Sequence, residues 1–356
     1  MKIAVALSGG VDSATSLYLL KQAGHDVFGL FMKNWEEEDE NGTCIAEKDA
    51  EDARAVCDLL GVPFYSVNFA KEYWENVFTY FLKELENGHT PNPDILCNRE
   101  IKFKVLFHKA KALGADLLAT GHYCQTSGGS LLKGKDQGKD QSYFLYTVKK
   151  TVLEEVLFPI GHLEKSEVRK IAEEANLPVF NKKDSTGICF IGKRNFQQFL
   201  EKYIPHEPGE IVTVEGEKVG MHDGIYYYTI GQRKGLGIGG PGDAWFVAGK
   251  DKENRKLIVA QGENHPALFA PALSATDISW VNEVPTFPLR CKAKIRYRQV
   301  EMPCTVEKNN EKLIVSFDED QRAITPRQSV VFYQGEICLG GAIIEKALLK
   351  SKSIKP

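Results

Sequence analysis

The chain opens with Lys2-Ile3-Ala4-Val5-Ala6-Leu7-Ser8-Gly9-Gly10-Val11-Asp12-Ser13, an apolar run that leads into a turn with two glycines. The run is typical of a strand buried in a parallel sheet. The apolar spacing that follows predicts a helix over Ser13–Ala23, ending at Gly24. A glycine pair between a strand and a helix N-terminus lets backbone N–H groups converge on an anion. We therefore predict a phosphate-binding loop over Ser8–Ser13.

A plain turn, with Asp12 or Ser13 capping the helix, would explain a glycine pair by itself. The strand, the hexapeptide and the helix agree with each other, however, which favours a functional loop. The loop has neither the Gly-Lys-Ser/Thr of a Walker motif nor a Gly-x-Gly-x-x-Gly fingerprint. Asp12 would repel a phosphate group unless Mg²⁺ lies between them. We therefore expect Asp12 to hold Mg²⁺ together with the nucleotide, and we expect no dedicated metal site.

Strand and helix patterns alternate through the first half of the chain, which predicts an α/β fold with a doubly wound parallel sheet. Beyond about residue 200, short β-runs separated by turns replace this alternation. The expected strands there include Ile211–Val214 and Gly224–Ile230, followed by a turn-rich connector over residues 235–242. From about residue 270 the β-runs favour a small antiparallel barrel. We predict three domains, over residues 1–200, 201–268 and 269–356.

Composition limits the class of protein further. The 356 residues are 43% hydrophobic and 26% charged, as in ordinary globular proteins. No apolar run approaches the roughly 18 residues of a membrane span, and the short apolar stretch at the N-terminus does not predict a signal peptide. The eight cysteines lack tight spacing, which indicates reduced thiols in a cytoplasmic protein.

The cysteines divide by their surroundings. Four lie in apolar patterns and are expected to be small buried hydrophobes: Cys57, Cys291, Cys304 and Cys338. Cys44 and Cys124 are undecided. Cys97 follows a stretch with two prolines, and a helix beginning near it would lower the pKa of its thiol. Cys189 lies in a loop with Lys182 and Lys183. By chemistry alone, either of these loop cysteines is more simply explained as an incidental thiol.

Net charge does not exclude a nucleic acid partner. The total is −3, but residues 34–58 hold ten acids against Lys48 and Arg54, and residues 267–356 sum to +3. Five cations occupy alternate positions and would share one face of a strand: Arg290, Lys292, Lys294, Arg296 and Arg298. Because like charges repel, we expect a polyanion to cover this face, although an alternating charge pattern is usually just solvated.

Several motifs, in order along nearly the whole chain, closely resemble the tRNA-specific 2-thiouridylase (MnmA) family. That family lies within the N-type ATP pyrophosphatase superfamily, whose signature the Ser8–Ser13 hexapeptide resembles. The other motifs are Pro91–Cys97 with Asn98, Thr120–Tyr123, Lys139–Leu145, Ser185–Phe190, Tyr228–Gly235 and Arg296–Arg298. The resemblance implies an ATP pyrophosphatase domain, a small central domain and a C-terminal β-barrel.

The resemblance also implies the activity, which is ATP-dependent replacement of the C2 oxygen of the wobble uridine in tRNA by sulfur. Cys189 would carry a persulfide from an upstream donor protein, and Cys97 would release that sulfur and close a transient Cys97–Cys189 disulfide. Asp94 is the available general base, or it only positions the uridine. The target base would be contacted by Asn92, Pro93 and Asp94, although such residues also build ordinary turns.

Nucleotide and tRNA contacts follow from the same resemblance. ATP would be lined by Ala6, Leu7, Ser8, Gly9, Gly10, Val11, Asp12, Ser13, Met32 and Gly121. The tRNA would be touched by His122, Lys139, Asp140, Gln141, Arg296, Tyr297 and Gln328. In a regular strand Tyr297 would face away from its charged neighbours, so its contact requires a strand end or a bulge.

The sequence is also compatible with two rival functions. Another adenylating ligase on the same fold, such as one that aminates a nucleotide, would need neither Cys97 nor Cys189. A non-catalytic RNA-binding protein would bind tRNA but would release no pyrophosphate from ATP.

Overall fold

A parallel sheet of five strands, in the order β3-β2-β1-β4-β7, forms the centre of the first part of the chain. The computed structural model describes residues 1–36, 45–184 and 196–349. The strands are β1 Lys2–Leu7, β2 Asp26–Lys33, β3 Phe64–Asn68, β4 Leu117–Thr120 and β7 Val156–Leu157. All four pairings are parallel, so the predicted doubly wound fold is confirmed.

Helices cover this sheet through apolar faces; Ala14 and Leu17, for example, are buried on the first of them. The helices are Val11–Gln22, Ile45–Leu60, Ala70–Tyr73, Thr79–Glu86, Pro93–Leu96, Phe107–Ala112, Lys150–Leu153, Lys165–Glu174 and Phe196–Leu200. Two segments, Trp74–Phe78 and Cys97–Leu106, continue neighbouring helices with the wider π-helical geometry. Such geometry is rare and frequently accompanies functional sites. No described helix combines the length and the apolar character that a bilayer crossing requires.

A second sheet contains β8 Gly209–Thr213, β9 Lys218–His222, β10 Trp245–Asp251 and β11 Lys256–Gln261, in the order β10-β11-β8-β9. The strand predicted over Gly224–Ile230 is wrong, because Ile225–Tyr227 forms a turn of 3₁₀ helix. Ile225 and Tyr226 are adjacent in sequence, yet both pack into the core of the parallel-sheet unit. A strand would point them to opposite faces, so tertiary packing overrides the β propensity of this run.

The C-terminal part of the chain forms a closed antiparallel barrel. Its strands are β12 Phe269–Trp280, β13 Leu289–Lys294, β14 Met302–Asn309, β15 Lys312–Arg322, β16 Ser329–Gln334 and β17 Ile337–Leu348. Closure comes from β12, which pairs with both β15 and β17. The predicted barrel is therefore confirmed. Strand β14 contains Pro303, a residue that weakens a strand pattern in the sequence.

A hairpin from the first part of the chain extends the C-terminal sheet. Its strands, β5 Cys124–Ser127 and β6 Ser130–Lys133, pair with each other, and β6 also pairs with β17. One apolar core joins the two units, because Tyr333 and Cys338 of the barrel pack with residues such as Tyr143. The division at residues 200 and 268 stays a prediction.

Candidate functional site

The loop after β1 lies at the carboxyl edge of the parallel sheet, where the strand order changes direction. Strand β1 pairs with β2 on one side and with β4 on the other, and Ala6 is in register with both Leu30 and Thr120. Met32, near the end of β2, and Gly121, just after β4, are therefore at the same edge as Ser8–Ser13. Open α/β sheets bind their ligands at such a position.

Two glycines at this edge are required by their surroundings. Gly9 has a left-handed φ of +69°, and a Cβ on it would lie 2.4 Å from the carbonyl oxygen of Asp49. A Cβ on Gly121 would lie 2.7 Å from the backbone nitrogen of Ser13. The segment after β4 thus packs directly on the loop, which is consistent with the predicted nucleotide contact of Gly121.

The loop is closed by its own polar groups. The Ser13 hydroxyl accepts a hydrogen bond from the Ser8 N–H at 3.2 Å and donates to the Gly10 carbonyl at 3.1 Å. Leu7 and Val11 are buried in the apolar core, so only their backbone groups can face a ligand. The geometry suits an anion held by main-chain N–H groups.

The Asp12 carboxylate is engaged in an ion pair that the sequence did not predict. The Lys165 ammonium lies 2.7 and 2.8 Å from its two oxygens, and the Tyr123 hydroxyl donates to it at 2.7 Å. Burial, together with the adjacent Asp12 carboxylate, raises the pKa of Tyr123, which keeps this hydroxyl protonated as a donor. Lys165 therefore places a cation beside the phosphate loop.

Asp184 extends this ionic network toward the chain segment that contains Cys189. Its carboxylate accepts from Lys139 at 2.6 Å, Lys165 at 2.9 Å and Arg169 at 2.7 Å. Burial opposes ionisation, but the hydrogen bonds from Lys139 and Lys165 hold the pKa of Asp184 well below its usual range. Asp184 thus stays charged and links the predicted tRNA contact Lys139 to the phosphate loop.

Lys182 contacts the phosphate loop and the helix Ile45–Leu60. Its ammonium donates to the Gly9 carbonyl at 2.9 Å and pairs with Asp49 at 2.8 Å, and with Asp52. Burial disfavours this charge, yet the hydrogen bonds that Lys182 donates to Asp49 and Asp52 raise its pKa. Cys189 itself, like Cys44, lies outside the described residues, so its predicted role stays a prediction.

Cys97 is buried within a helical stretch. Asn92 caps this helix by accepting from the Asp94 N–H at 3.1 Å, and the first turn is Pro93–Leu96. Cys97 follows that first turn, beyond which the helix dipole acts weakly. Its side chain is 1% exposed and belongs to the apolar core. Reaction at this thiol requires the surrounding segment to move.

The Cys97 helix meets the phosphate-loop edge at residues 120–123. Phe103, on the π-helical segment, packs its ring against His122 at 5.8 Å between centroids. His122 in turn follows Gly121, which abuts Ser13. Asn98, the residue after Cys97 on this helix, donates from Nδ2 to the Phe144 carbonyl at 3.1 Å. The phosphate loop and the helix that contains Cys97 are thus linked through residues 120–123.

Several residues predicted to touch tRNA are engaged inside the protein. His122 is buried and hydrogen-bonded to Thr120, and burial, with the nearby Lys102 charge, lowers the pKa of its ring. Asp140 is also buried, where it accepts from Gly134 N–H and from Ser142. Gln141 accepts from the Tyr123 N–H. In this arrangement these side chains shape the site, and their contact with tRNA stays a prediction.

Arg296, Tyr297 and Gln328 also have partners within the chain. Arg296 donates to the carbonyl oxygens of Ile230 and Ala323 and to the Thr325 hydroxyl. Tyr297 stacks near Phe144, with ring centroids 4.5 Å apart, and it follows the end of β13 at Lys294. The strand end that its predicted contact requires is therefore present. Gln328 donates to the Thr90 carbonyl.

The prediction that five cations form a continuous row on one strand face is wrong. Strand β13 ends at Lys294, so Arg296 and Arg298 lie beyond it. Lys294 is buried and pairs with Asp140 at 3.4 Å and Glu301 at 3.7 Å. Of the five, Arg290, Lys292 and Arg298 are exposed, and Arg290 pairs with Asp318. Alternation along the sequence missed the strand end and the buried acids.

The described residues contain no group of three or more potential metal ligands. Asp12 is the carboxylate within the loop, and both its oxygens accept from Lys165. Mg²⁺ that enters with ATP would be held chiefly by the phosphate groups of the nucleotide. The proposed role of Asp12 toward Mg²⁺ stays a prediction, and it would require Lys165 to release the carboxylate.

Family models and curated relatives match nearly the whole chain. Family models described as a tRNA methyl transferase HUP domain, a tRNA methyl transferase PRC-barrel domain and an aminomethyltransferase β-barrel domain match residues 1–193, 197–261 and 271–344. A tRNA-specific 2-thiouridylase MnmA from Protochlamydia amoebophila is 56% identical over 97% of this chain and 93% of that protein. The chain belongs to the MnmA family.

Another MnmA relative, from Francisella philomiragia, is 57% identical and covers 96% of this chain and 99% of that protein. Among solved structures, the U34-tRNA thiolase NcsA from Methanococcus maripaludis is 21% identical over 50% of this chain and 58% of its own, with a TM-score of 0.34. That structural likeness is too weak to carry an argument. The MnmA assignment rests on the curated relatives.

Within this chain, four polar residues near the site make contacts that the sequence does not predict. Lys165, Lys182 and Asp184 surround the phosphate loop through the contacts described above. Lys250, on β10, places its ammonium 3.4 Å from the Thr90 hydroxyl, and burial lowers its pKa to about 7. Lys165 and Lys250 stand apart in sequence from any glycine-rich or cysteine motif, and only the fold brings them to the site.

Proposed function

We propose that this protein is an ATP-dependent tRNA 2-thiouridylase, a sulfurtransferase that converts a uridine of tRNA into 2-thiouridine with release of AMP and pyrophosphate. The observation that carries the proposal is that the phosphate loop and the helix that contains Cys97 both pack against residues 120–123. Gly121 abuts the phosphate loop at Ser13, while His122 packs on the helix that contains Cys97. An activating nucleotide and a sulfur-handling thiol would serve the same bound uridine there.

Activation answers a chemical problem, since the C2 carbonyl of uridine is a poor electrophile. In the proposed first step the C2 oxygen attacks the α-phosphorus of ATP, and pyrophosphate leaves. The main-chain N–H groups of the loop and the Lys165 ammonium would stabilise the negative charge that develops on the phosphates. Mg²⁺ bound to ATP would supply further charge neutralisation. AMP then becomes the leaving group at C2.

Sulfur delivery would use both predicted cysteines. A donor protein would load Cys189 as a persulfide, and the Cys97 thiolate would attack the Cys189 sulfur. The S–S bond of the persulfide breaks, its electron pair leaves with the terminal sulfur that C2 receives, and AMP departs. The products are 2-thiouridine and a Cys97–Cys189 disulfide, which a thiol reductant must reduce before the next turnover.

Base recognition would fall to the segment Asn92–Asp94. The target base must leave its stack to reach the site. Asp94, as general base or as a positioning group, would face the uridine, while Asn92 keeps the helix capped. Contacts along Lys139–Gln141, and from His122, Arg296, Tyr297 and Gln328, complete the proposed tRNA interface. A cytoplasmic location and the three-domain division are part of the same proposal.

The experiment that tests this proposal separates the two cysteines. Cys189→Ser and Cys97→Ser should both retain tRNA-dependent pyrophosphate release, because neither thiol takes part in adenylation. After incubation with a persulfide donor, intact-protein mass spectrometry should show an added sulfur on Cys97→Ser but not on Cys189→Ser. Neither variant should form 2-thiouridine. Thiolation by Cys189→Ser at the wild-type rate would contradict the persulfide relay.

A further inference from the structure

Thr90, two residues before the predicted base-contacting segment, is held by two different sheets. The Gln328 amide, from the barrel, donates to its carbonyl oxygen at 2.6 Å. Lys250, from the four-stranded sheet, places its ammonium 3.4 Å from its hydroxyl oxygen. Thr90 therefore joins this segment to both C-terminal sheets through its own backbone and side chain.

Both donors stand on backbone that is itself fixed. Lys250 lies in β10, in register with Leu257 of β11. The Gln328 carbonyl accepts from the Ile344 N–H at 2.8 Å, which binds it to β17. Arg327, its neighbour, pairs with the buried Glu84 at 2.8 Å. Because their backbones are fixed, the two donors restrict Thr90 to positions within reach of both side chains.

The chain beyond Thr90 transmits that position stiffly. Pro91 and Pro93 each fix φ near −65°, and a residue before proline is restricted to extended backbone. Asn92, between them, is extended with φ −109° and ψ 99°, and it caps the helix that leads to Cys97. A displacement of Thr90 would therefore shift Asn92 and Asp94 rather than be absorbed by a flexible loop.

Lys250 is an unusual residue for a purely structural contact. Its side chain is half-buried, and burial alone lowers its pKa to about 7. An ammonium group removed from water without a carboxylate destabilises a fold. Residues of this kind are found where function requires them at some cost in stability.

We propose that Lys250 and Gln328 are positioning residues that hold Thr90 and thereby set Asn92, Asp94 and Cys97 for reaction with the bound uridine. This inference rests on the proposed thiolation. Lys250 and Gln328 would affect that reaction through Thr90, without touching the reacting atoms. It gives the C-terminal sheets a part in catalysis as well as in tRNA affinity.

The test compares Lys250→Met, Thr90→Val and the double variant with the wild type. The two single changes remove the same contact while nearly keeping side-chain volume. Each should lower the single-turnover rate of 2-thiouridine formation about tenfold, since small misplacements of reacting groups are costly. The double variant should be no slower than either single one. The Kd for tRNA should stay within about twofold of the wild-type value and the Tm should not fall.

A matched control is available in Lys252→Met. Lys252 is two residues away and contacts the same loop at Asn87, 3.0 Å distant, but it does not touch Thr90. The single-turnover rate of 2-thiouridine formation by Lys252→Met should equal that of the wild type. Gln328→Met should slow single-turnover thiolation at saturating tRNA about as much as Lys250→Met does, and it should also weaken tRNA binding, because Gln328 belongs to the proposed tRNA interface. Weakened tRNA binding with a wild-type rate at saturating tRNA would overturn the positioning role of Gln328.

A second readout works without catalysis. Cys97 is 1% exposed, so loosening Thr90 should increase its alkylation by iodoacetamide several-fold, measured by peptide mass spectrometry. Increased labelling in Lys250→Met supports the positioning role even if the wild type forms no 2-thiouridine, a result that would refute only the proposed function. Unchanged labelling and an unchanged thiolation rate, beside an active wild type, would overturn the positioning role alone.

Discussion

Asp12 shows how one residue of a recognised motif acquires its chemistry from partners far away in the sequence. Its carboxylate is shared by Lys165 and Tyr123, so it orients a cation at the phosphate loop. The hexapeptide predicts the loop itself, because glycines and a helix N-terminus are local features. It does not predict Lys165, since that contact depends on how a later helix packs against the first.

The ion pair makes a direct prediction for Asp12. Asp12→Asn keeps a polar acceptor for Tyr123 but loses the charge that holds Lys165. Pyrophosphate release in the presence of tRNA should fall at least about a hundredfold, as when a transition-state charge contact is lost. Affinity for tRNA, measured by filter binding, should be unchanged. Tyr123→Phe is the control and should cost less than about tenfold; equal effects of the two changes would argue against the ion pair.

Lys250 makes a prediction about pH. Its folded-state pKa of about 7 lies below the ordinary value of 10.5, so the folded protein opposes protonation of this amine. The resulting cost is greatest below pH 7, declines as pH rises and vanishes near pH 10.5. Lys250→Met should therefore be more stable than the wild type in urea unfolding at pH 7. A stability gain that is equal at pH 7 and pH 10 would contradict the lowered pKa.

At the scale of elements, strand β13 illustrates both the strength and the weakness of periodicity. Alternation correctly predicts a strand across residues 291–294, with Cys291 and Ala293 buried. It also predicts that the strand continues through Tyr297, which is wrong. Arg296 is instead held by the carbonyls of Ile230 and Ala323, both distant in sequence. A strand pattern records alternation but not where pairing ends.

Arg296 therefore has a structural role that its neighbours lack. Arg296→Ala leaves the Ile230 and Ala323 carbonyls without this donor and should lower the free energy of unfolding by about 2 kcal/mol or more. Lys292→Gln, on the exposed face of β13, should leave stability unchanged within about 0.5 kcal/mol. Urea unfolding measures both. Because Arg296 is also part of the proposed tRNA interface, Arg296→Ala should weaken tRNA binding as well. An unchanged free energy of unfolding would contradict the structural role.

Across the whole molecule, elements with strong local patterns were predictable and the interfaces between them were not. The parallel sheet and the barrel follow from apolar runs and turn residues. The prediction of a strand at Gly224–Ile230 is wrong because Ile225 and Tyr226 belong to the core of the parallel-sheet unit. The β5–β6 hairpin likewise joins the barrel through β17. Family motifs identified residues at the site, but Lys165, Asp184 and Lys250 depend on tertiary packing.

The central claim is that one site activates uridine with ATP and replaces its C2 oxygen by sulfur. Nucleoside analysis by mass spectrometry, on unmodified tRNA incubated with the wild-type protein, ATP, Mg²⁺, a persulfide donor and a thiol reductant, tests it most directly. We predict 2-thiouridine at the wobble position, with none formed when ATP or the donor is omitted. A methylated or aminated nucleoside, or unmodified uridine in the complete reaction, would contradict the account.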